Sequence, residues 1–282
     1  MKITFIGLGI MGSRMASHLL KEGIELTVYN RSNGPAKALE AFGARAAKSV
    51  EEAVRDAEIV FSMLSKPEVV EKLMIEQALP SMKSGTIWID CSTVNPSFTQ
   101  KAHQKAEEFF IRYLEAPVAG TKPQAEAGEL VFFVGGDTAT LNDIQECLQY
   151  MGSKVMHLGA VSKGASFKML INMMLGMSMV AFSESVKLGE ALGFDVNMLL
   201  NLIPNLPVSA PFLKTKAEMM KEDDYETQFP LELLYKDLHL AMVTASEKEL
   251  SLPFTNTAKE VYSEGVEGGL GRKDMIAIHE IN

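Results

Sequence analysis

Cysteine is scarce: Cys91 and Cys147 are the two in 282 residues. Two thiols cannot build a disulfide framework, and the count points to a reducing compartment with both thiols structural. The five histidines, His18, His103, His157, His239 and His279, lie far apart, without metal-ligand spacing. They read as structural or solvated, and no metal is expected. Basic residues are in the minority, 27 Lys and Arg against 36 Asp and Glu, for a net charge of −9. With no basic stripe, nucleic acid is not an expected partner. The longest apolar stretch past the start, Met169 to Phe182, is interrupted by Asn172 and Ser178. It falls short of the ~20 residues a spanning helix needs, so no membrane contact is expected. Residues 1–12 are apolar after Lys2, but glycines break the run, Arg14 follows and no small-residue cleavage site is present. The expectation is a cytoplasmic protein. No internal repeat or low-complexity run appears. What remains, 47% hydrophobic and 22% charged, is an ordinary globular composition. The length fits about two domains.

The most informative stretch comes first. Lys2-Ile3-Thr4-Phe5-Ile6 reads as a short buried strand. Gly7-Leu8-Gly9-Ile10-Met11-Gly12 follows with G-x-G-x-x-G spacing, and Met11, Met15, Leu19 and Leu20 then recur at helical spacing. Strand, glycine turn and helix in that order form the context a dinucleotide fingerprint requires. Gly7 allows the sharp turn, Gly9 lets a pyrophosphate approach the backbone, and Gly12 lets helix and strand pack closely. The helix N-terminus then offers free N–H groups to phosphate. Leu8, Ile10 and Met11, within the turn, are expected at the cofactor with the glycines.

Glu25 to Tyr29 reads as the second strand of a βαβ unit. An NAD site usually carries an acid just beyond it, bonded to the ribose hydroxyls. This chain has Asn30-Arg31-Ser32 instead. No acid would repel a 2′-phosphate, Arg31 could pair with it, and Asn30 and Ser32 could donate hydrogen bonds. The expectation is NADP rather than NAD. Alternation of strand and helix continues: helix 34–42, strand 44–46, a helix capped by Ser49, strand 58–64, a helix opened by Pro67, strand 86–90, and a helix from Pro96 to about Phe109. Strand 130–134, helix 138–150 and strand 154–157 complete the series. Ligands bind at the C-terminal ends of strands in such sheets. Met63, Leu64, Ser65, Ser92 and Thr93 therefore share an edge with the glycine turn.

From Ser162 onward helical patterns dominate, at about 162–192, 195–203, 209–221, 230–248 and 252–267. The boundary between the two expected domains, 1–160 and 161–282, is placed near Gly159. In the first of these helices Gly164, Lys168 and Asn172 are four apart and line one face. Gly164 would leave room for a ligand. Lys168 could give a proton to a substrate oxygen and take it back, and Asn172 could hold the substrate or orient the lysine. Met169-Leu170-Ile171 and Met173-Met174-Leu175 surround them, and polar groups in so apolar a helix need partners or a polar cleft. The methionines at 169, 173, 174, 177 and 179 read as core, and Lys214 to Glu226 as a solvated face and loop.

Phe5-Ile6-Gly7-Leu8-Gly9-Ile10-Met11-Gly12-Ser13-Arg14-Met15-Ala16-Ser17-His18-Leu19 resembles the signature of the β-hydroxyacid dehydrogenases, the 3-hydroxyisobutyrate dehydrogenase family. Asp90-Cys91-Ser92-Thr93, Ala116-Pro117-Val118-Ala119-Gly120, Gly164-Ala165-Ser166-Phe167-Lys168-Met169-Leu170-Ile171-Asn172, Phe229-Pro230-Leu231 and Lys236-Asp237-Leu238 resemble its other motifs, in order. The resemblance spans nearly the whole chain. It implies a doubly wound parallel Rossmann sheet, a long interdomain helix and an all-helical C-terminal domain. It implies that Lys168 is catalytic and that Asn172, Ser92 and Gly120 hold a small carboxylate-bearing substrate. Thr93, Lys236 and Phe229 would lie at the NADP(H), with Asp237 orienting the lysines. A homodimer or homotetramer is implied as well. Thr121-Lys122 and the following Ala125 to Leu130 are most similar to the glyoxylate and succinic semialdehyde reductases. Where the family usually has serine, this chain has Ala119, and Thr121 is the candidate to replace the lost hydroxyl. The implied function is NADP-dependent interconversion of a small hydroxyacid and its aldehyde-acid. The alternatives are an imine reductase, which usually replaces the lysine, and a non-catalytic NADP-binding scaffold.

Overall fold

The computed structural model describes residues 1–281, in two compact units that divide between Lys168 and Met169. The first unit is built on a nine-stranded sheet: β1 (Lys2–Ile6), β2 (Glu25–Tyr29), β3 (Arg45–Ala46), β4 (Ile59–Ser62), β5 (Ile87–Asp90), β6 (Arg112–Glu115), β7 (Val118–Ala119), β8 (Leu130–Gly136) and β9 (Gly152–His157). Its helices are α1 (Ile10–Lys21), α2 (Asn33–Glu40), α3 (Val50–Val54), α4 (Pro67–Val70), α5 (Pro96–Glu108), α6 (Lys122–Ala127) and α7 (Thr138–Met151). A π-helical segment, Glu71–Ala78, continues α4.

The strands lie in the order 3-2-1-4-5-6-8-7, with β9 beside β8. Neighbours from β3 through β6 are parallel. The resemblance implies a parallel sheet, and the sheet is mostly so, but β8 runs antiparallel to both β6 and β7. The short β7–α6 segment reverses the chain within a few residues, too few for a parallel crossover. Chain order reverses at β1, which lies between β2 and β4, and this is where open α/β sheets bind ligands.

Two cores cover the sheet, and period-two alternation divides its side chains between them. Phe5, Phe61 and Ile89 face one core, with Met15 and Leu19 of α1. Ile6, Val60 and Trp88 face the other, with Val70, Met74 and Phe98. Because both faces are covered, β4 and β5 are buried along their whole length, and each reads as three apolar residues closed by a buried polar one, Ser62 or Asp90. Cys91 and Cys147 are free and buried. Burial pushes the Cys91 thiol up, which keeps it protonated and inert.

The helix α8 (Lys163–Ala191) carries the chain across the division. The second unit continues with α9 (Val196–Leu202), α10 (Leu213–Lys221), α11 (Leu231–Glu247), α12 (Pro253–Glu267) and a 3₁₀ turn, Met275–Glu280. Its core gathers Met179, Phe182, Val186, Leu199, Leu234, Leu238, Tyr262 and Ile276. Glycines on α8 permit close approach: a Cβ at Gly189 would sit 2.6 Å from Leu199, and one at Gly176 3.1 Å from Leu238.

Four expectations need correction here. At 29 residues, α8 is long and apolar enough by length and composition to cross a bilayer, because it does not stop at Phe182. In this structure it supplies core residues to the second unit. The helix expected from 209 begins at Leu213, since Pro211 disfavours helical geometry at the residue before it. Met169 and Met179 are core, but Met174 is exposed. Lys216 is not solvated: it is 3% exposed and pairs with Asp274 at 2.9 Å. Asp274 also accepts the amides of Gln228, Phe229 and Ile276, which spreads its charge over fixed donors.

Candidate active site

The glycine turn is built by exclusion. Gly7 has φ +93°, and a Cβ there would lie 2.3 Å from the Met63 carbonyl. At Gly12 a Cβ would lie 1.9 Å from the Gly7 carbonyl, so α1 can rest on the turn only without a side chain. At Gly9 a Cβ would meet nothing within 4 Å. This is the one glycine of the three whose smallness serves no protein contact. Gly9 is also the N-cap of α1, which has no side-chain cap and no acid in its first turn. Open space over uncapped N–H groups fits the pyrophosphate of a dinucleotide.

Asn30 holds this turn. Its Oδ1 accepts the Leu8 amide at 3.0 Å, and its Nδ2 donates to the Ser32 carbonyl and hydroxyl at 3.1 and 3.0 Å. Asn30, expected as a phosphate donor, makes these bonds within the protein in this structure. Arg31 is exposed, and the Ser32 hydroxyl retains its own proton to donate.

A second network ties the ends of β4 and β5. The Asp90 carboxylate, 1% exposed, accepts the Ser62 hydroxyl at 2.8 Å and the Ser92 amide at 3.1 Å. The Trp88 indole donates to Ser62 Oγ at 2.8 Å. Ser92 is buried, and its Oγ accepts the Leu64 amide at 2.9 Å. Gly7, Met63, Leu64 and Ser92 therefore come together as one edge, with half-buried Thr93 following. Gly120 is exposed at φ +120°. Beside it, the Thr121 amide and hydroxyl both donate to Gln124 Oε1, at 2.9 and 3.1 Å. Both donors are given to the first turn of α6 in this structure.

On α8, Lys168 is 8% exposed and Asn172 1% exposed. Asn172 Nδ2 donates to Asp237 Oδ2 at 2.5 Å, and the other Asp237 oxygen lies 2.8 Å from Lys236 Nζ. The contact fixes the amide: a flipped Asn172 would set two oxygens against each other. Its buried Oδ1 has no hydrogen-bond partner among the described residues and is left as an acceptor. Phe229 is half-buried, with its amide on Asp274 at 3.0 Å. Gly164 does not leave room for a ligand. A Cβ there would sit 2.3 Å from the Phe133 carbonyl, so its smallness serves the packing of α8 on β8. Asp274 and the buried Glu115 were not marked by any motif, although an acid within an apolar strand end, as in Tyr113-Leu114-Glu115-Ala116-Pro117, was a visible signal.

Sheet order, glycine turn and helical second unit define an NAD(P)-binding oxidoreductase related to 6-phosphogluconate dehydrogenase. Residues 2–159 match the model of the NAD-binding domain of 6-phosphogluconate dehydrogenase. Residues 162–281 match that of the NAD-binding domain of NADP-dependent 3-hydroxyisobutyrate dehydrogenase. The chain belongs to the 3-hydroxyisobutyrate dehydrogenase family, whose members are NAD(P)-dependent β-hydroxyacid dehydrogenases. It is 33% identical to glyoxylate/succinic semialdehyde reductase 2, chloroplastic, of Arabidopsis thaliana, over 99% of this chain and 78% of that one. It is 33% identical to 2-(hydroxymethyl)glutarate dehydrogenase of Eubacterium barkeri, over 99% and 94%. Among solved structures, a Mycobacterium tuberculosis 3-hydroxyisobutyrate dehydrogenase with L-serine is similar at TM-score 0.89 and 29% identity, covering 99% of this chain and 98% of that one.

Proposed function

We propose that this protein uses NADPH to reduce the carbonyl of a small aldehyde-acid, and runs the reverse oxidation of the hydroxyacid. The observation that carries this reading is a lysine and an asparagine, four apart and both buried, on the apolar helix α8. When bound, the nicotinamide supplies the hydride. Lys168 gives its Nζ proton to the substrate oxygen in reduction and recovers it in oxidation. Asn172, with its N–H groups turned to Asp237, accepts a hydrogen bond through Oδ1 and so suits the hydroxyl of the hydroxyacid. The Ser92 hydroxyl, which keeps its own proton while its Oγ accepts the Leu64 amide, and the backbone at Gly120 receive the carboxylate; the Ser92 and Thr121 amides are already given to Asp90 and Gln124. Thr93, Phe229 and Lys236 lie toward the cofactor, and Asp237 orients Lys236 through their ion pair.

The names of the Arabidopsis relatives support glyoxylate or succinic semialdehyde as the substrate class. The absence of an acid at 30–32 and the exposed Arg31 support NADPH. Exposed Leu188, Leu192, Phe194 and Leu202 in the second unit support a homo-oligomer.

Steady-state assays of glyoxylate, succinic semialdehyde, methylmalonate semialdehyde and tartronate semialdehyde, each with NADPH and with NADH, test the proposal. At least one should be reduced, with kcat/KM about 10- to 100-fold higher for NADPH, as one charge-assisted phosphate contact allows. Arg31→Ala should erase most of that preference and leave the NADH rate in place. Equal or better efficiency with NADH would overturn the cofactor assignment. Tight NADPH binding without turnover of any substrate would favour a scaffold.

A further inference from the structure

Lys163 opens α8, and the residue before it is Ser162, whose φ is +82°. A helix start normally takes its cap from that residue's own side chain in extended geometry. Here the first-turn amides are met from the sheet. Glu115, the last residue of β6 and 1% exposed, accepts the Gly164 amide at 2.7 Å and the Ala165 amide at 3.2 Å, both through Oε1. Burial pushes its carboxyl up, and hydrogen bonds, those two amides among them, pull it back.

The surroundings are shaped for this contact. Gly135, the register partner of Glu115 on β8, has no Cβ, and one would lie 2.3 Å from Glu115 Oε1. Gly164 rests on the Phe133 carbonyl under the same constraint. The Phe133 and Phe167 rings meet edge to face at 5.1 Å, which fixes the helix rotation at the residue before Lys168. Four residues of helix, about 6 Å of rise, separate Gly164 from Lys168. The height and rotation of the Lys168 backbone are therefore set by the anchored first turn.

We infer that Glu115 is a positioning residue, whose grip on the Gly164 and Ala165 amides places Lys168 for proton transfer. The inference rests on the reading of Lys168 given above. It assigns Glu115 no contact with substrate or cofactor. Displacements of about 1 Å can cost on the order of 100-fold in rate, so a change confined to this anchor should reach catalysis.

The test uses the full chain, with NADPH and the best aldehyde-acid of the four named above. Hydrogen exchange of the segment spanning 160–170, in the absence of cofactor and substrate, provides the second readout. Glu115→Ala should lower kcat about 10- to 100-fold, leave the KM for NADPH within about twofold, and speed exchange at Gly164 and Ala165 at least about fivefold. Glu115→Gln, which keeps the acceptor oxygen, should restore most of the rate and the protection. Gly164→Ala leaves the carboxylate in place but pushes the helix start off β8. It should reproduce the kcat loss, and it decides the matter if Glu115→Ala does not fold. Wild-type kcat in Glu115→Ala and Gly164→Ala, unchanged exchange in Glu115→Ala, or a Gln variant no better than Ala would overturn the inference. Lys168→Ala separates the two claims. If it loses turnover while Glu115→Ala keeps it, the positioning role alone fails. If Lys168→Ala keeps turnover, the proton-donor reading fails, and exchange still reports whether Glu115 holds the helix start.

Discussion

Lys168→Ala is expected to lower kcat by about 10³- to 10⁴-fold and to leave the Kd for NADPH within about twofold, the upper range for losing a general acid. The alanine removes the proton donor but does not touch the glycine turn, where the pyrophosphate is expected. At 8% exposure Lys168 is not a surface residue that solvent can replace. Water can enter the space left by the side chain, but it is a far weaker acid than an ammonium and is not held in line with the substrate oxygen. Lys168→Arg should rescue little, because a guanidinium keeps its proton at any working pH and is larger. Stopped-flow hydride transfer and a fluorescence titration with NADPH measure the two quantities separately. Loss of both together would point to damage to the fold, and retention of both would remove Lys168 from the chemistry.

Gly12→Ala and Gly9→Ala form the second prediction, and their contrast carries it. At Gly12 the added methyl meets a backbone carbonyl at 1.9 Å and the buried Phe5 ring at 3.1 Å, neither of which can swing aside. The start of α1 must lift off β1 while Met15 and Leu19 hold the helix in the core. The cost is about 3 kcal/mol, the upper end for over-packing, and the N–H groups facing the phosphate site move with the helix. Both the melting temperature and NADPH affinity should fall, the latter about 100-fold. At Gly9 the methyl enters open space, and φ of −74° suits alanine. Its melting temperature should match wild type within about 2 °C, since no mechanism for a large loss is present. NADPH affinity should nevertheless fall at least about tenfold, because the methyl stands where a pyrophosphate must come. Thermal melts and NADPH titrations of both variants check this. Wild-type affinity in Gly9→Ala would remove the pyrophosphate from this turn.

Much of the first unit was legible because its signals are local. Buried strands such as that begun by Ile59-Val60-Phe61 appear as apolar runs, and the glycine spacing gives its own geometric reason at each position. What was hidden depends on pairings distant in sequence. Glu115 meets Gly164 across 49 residues, and Lys216 meets Asp274 across 58. No periodicity reveals such partners, so Lys216 read as solvated and Gly164 as space for a ligand. The antiparallel β8 was obscured for a related reason. Its sequence fits either direction, and direction is set by the two-residue β7 and the six-residue α6, both too short for a periodic pattern. Lys168 and Asn172 stood out because two polar residues at helical spacing inside an apolar helix require an explanation. The partner that fixes Asn172, Asp237, is 65 residues away.

A hydride moved from the nicotinamide to an aldehyde-acid carries its isotope into the product. Mass spectrometry of the hydroxyacid formed from NADPH deuterated at both C4 positions reads that transfer, with glyoxylate, succinic semialdehyde or either of the other aldehyde-acids named above as acceptor. The product should carry one carbon-bound deuterium and form in step with NADPH oxidation. A hydroxyacid without deuterium, or none at all from any of these acceptors while NADPH is firmly bound, would contradict it.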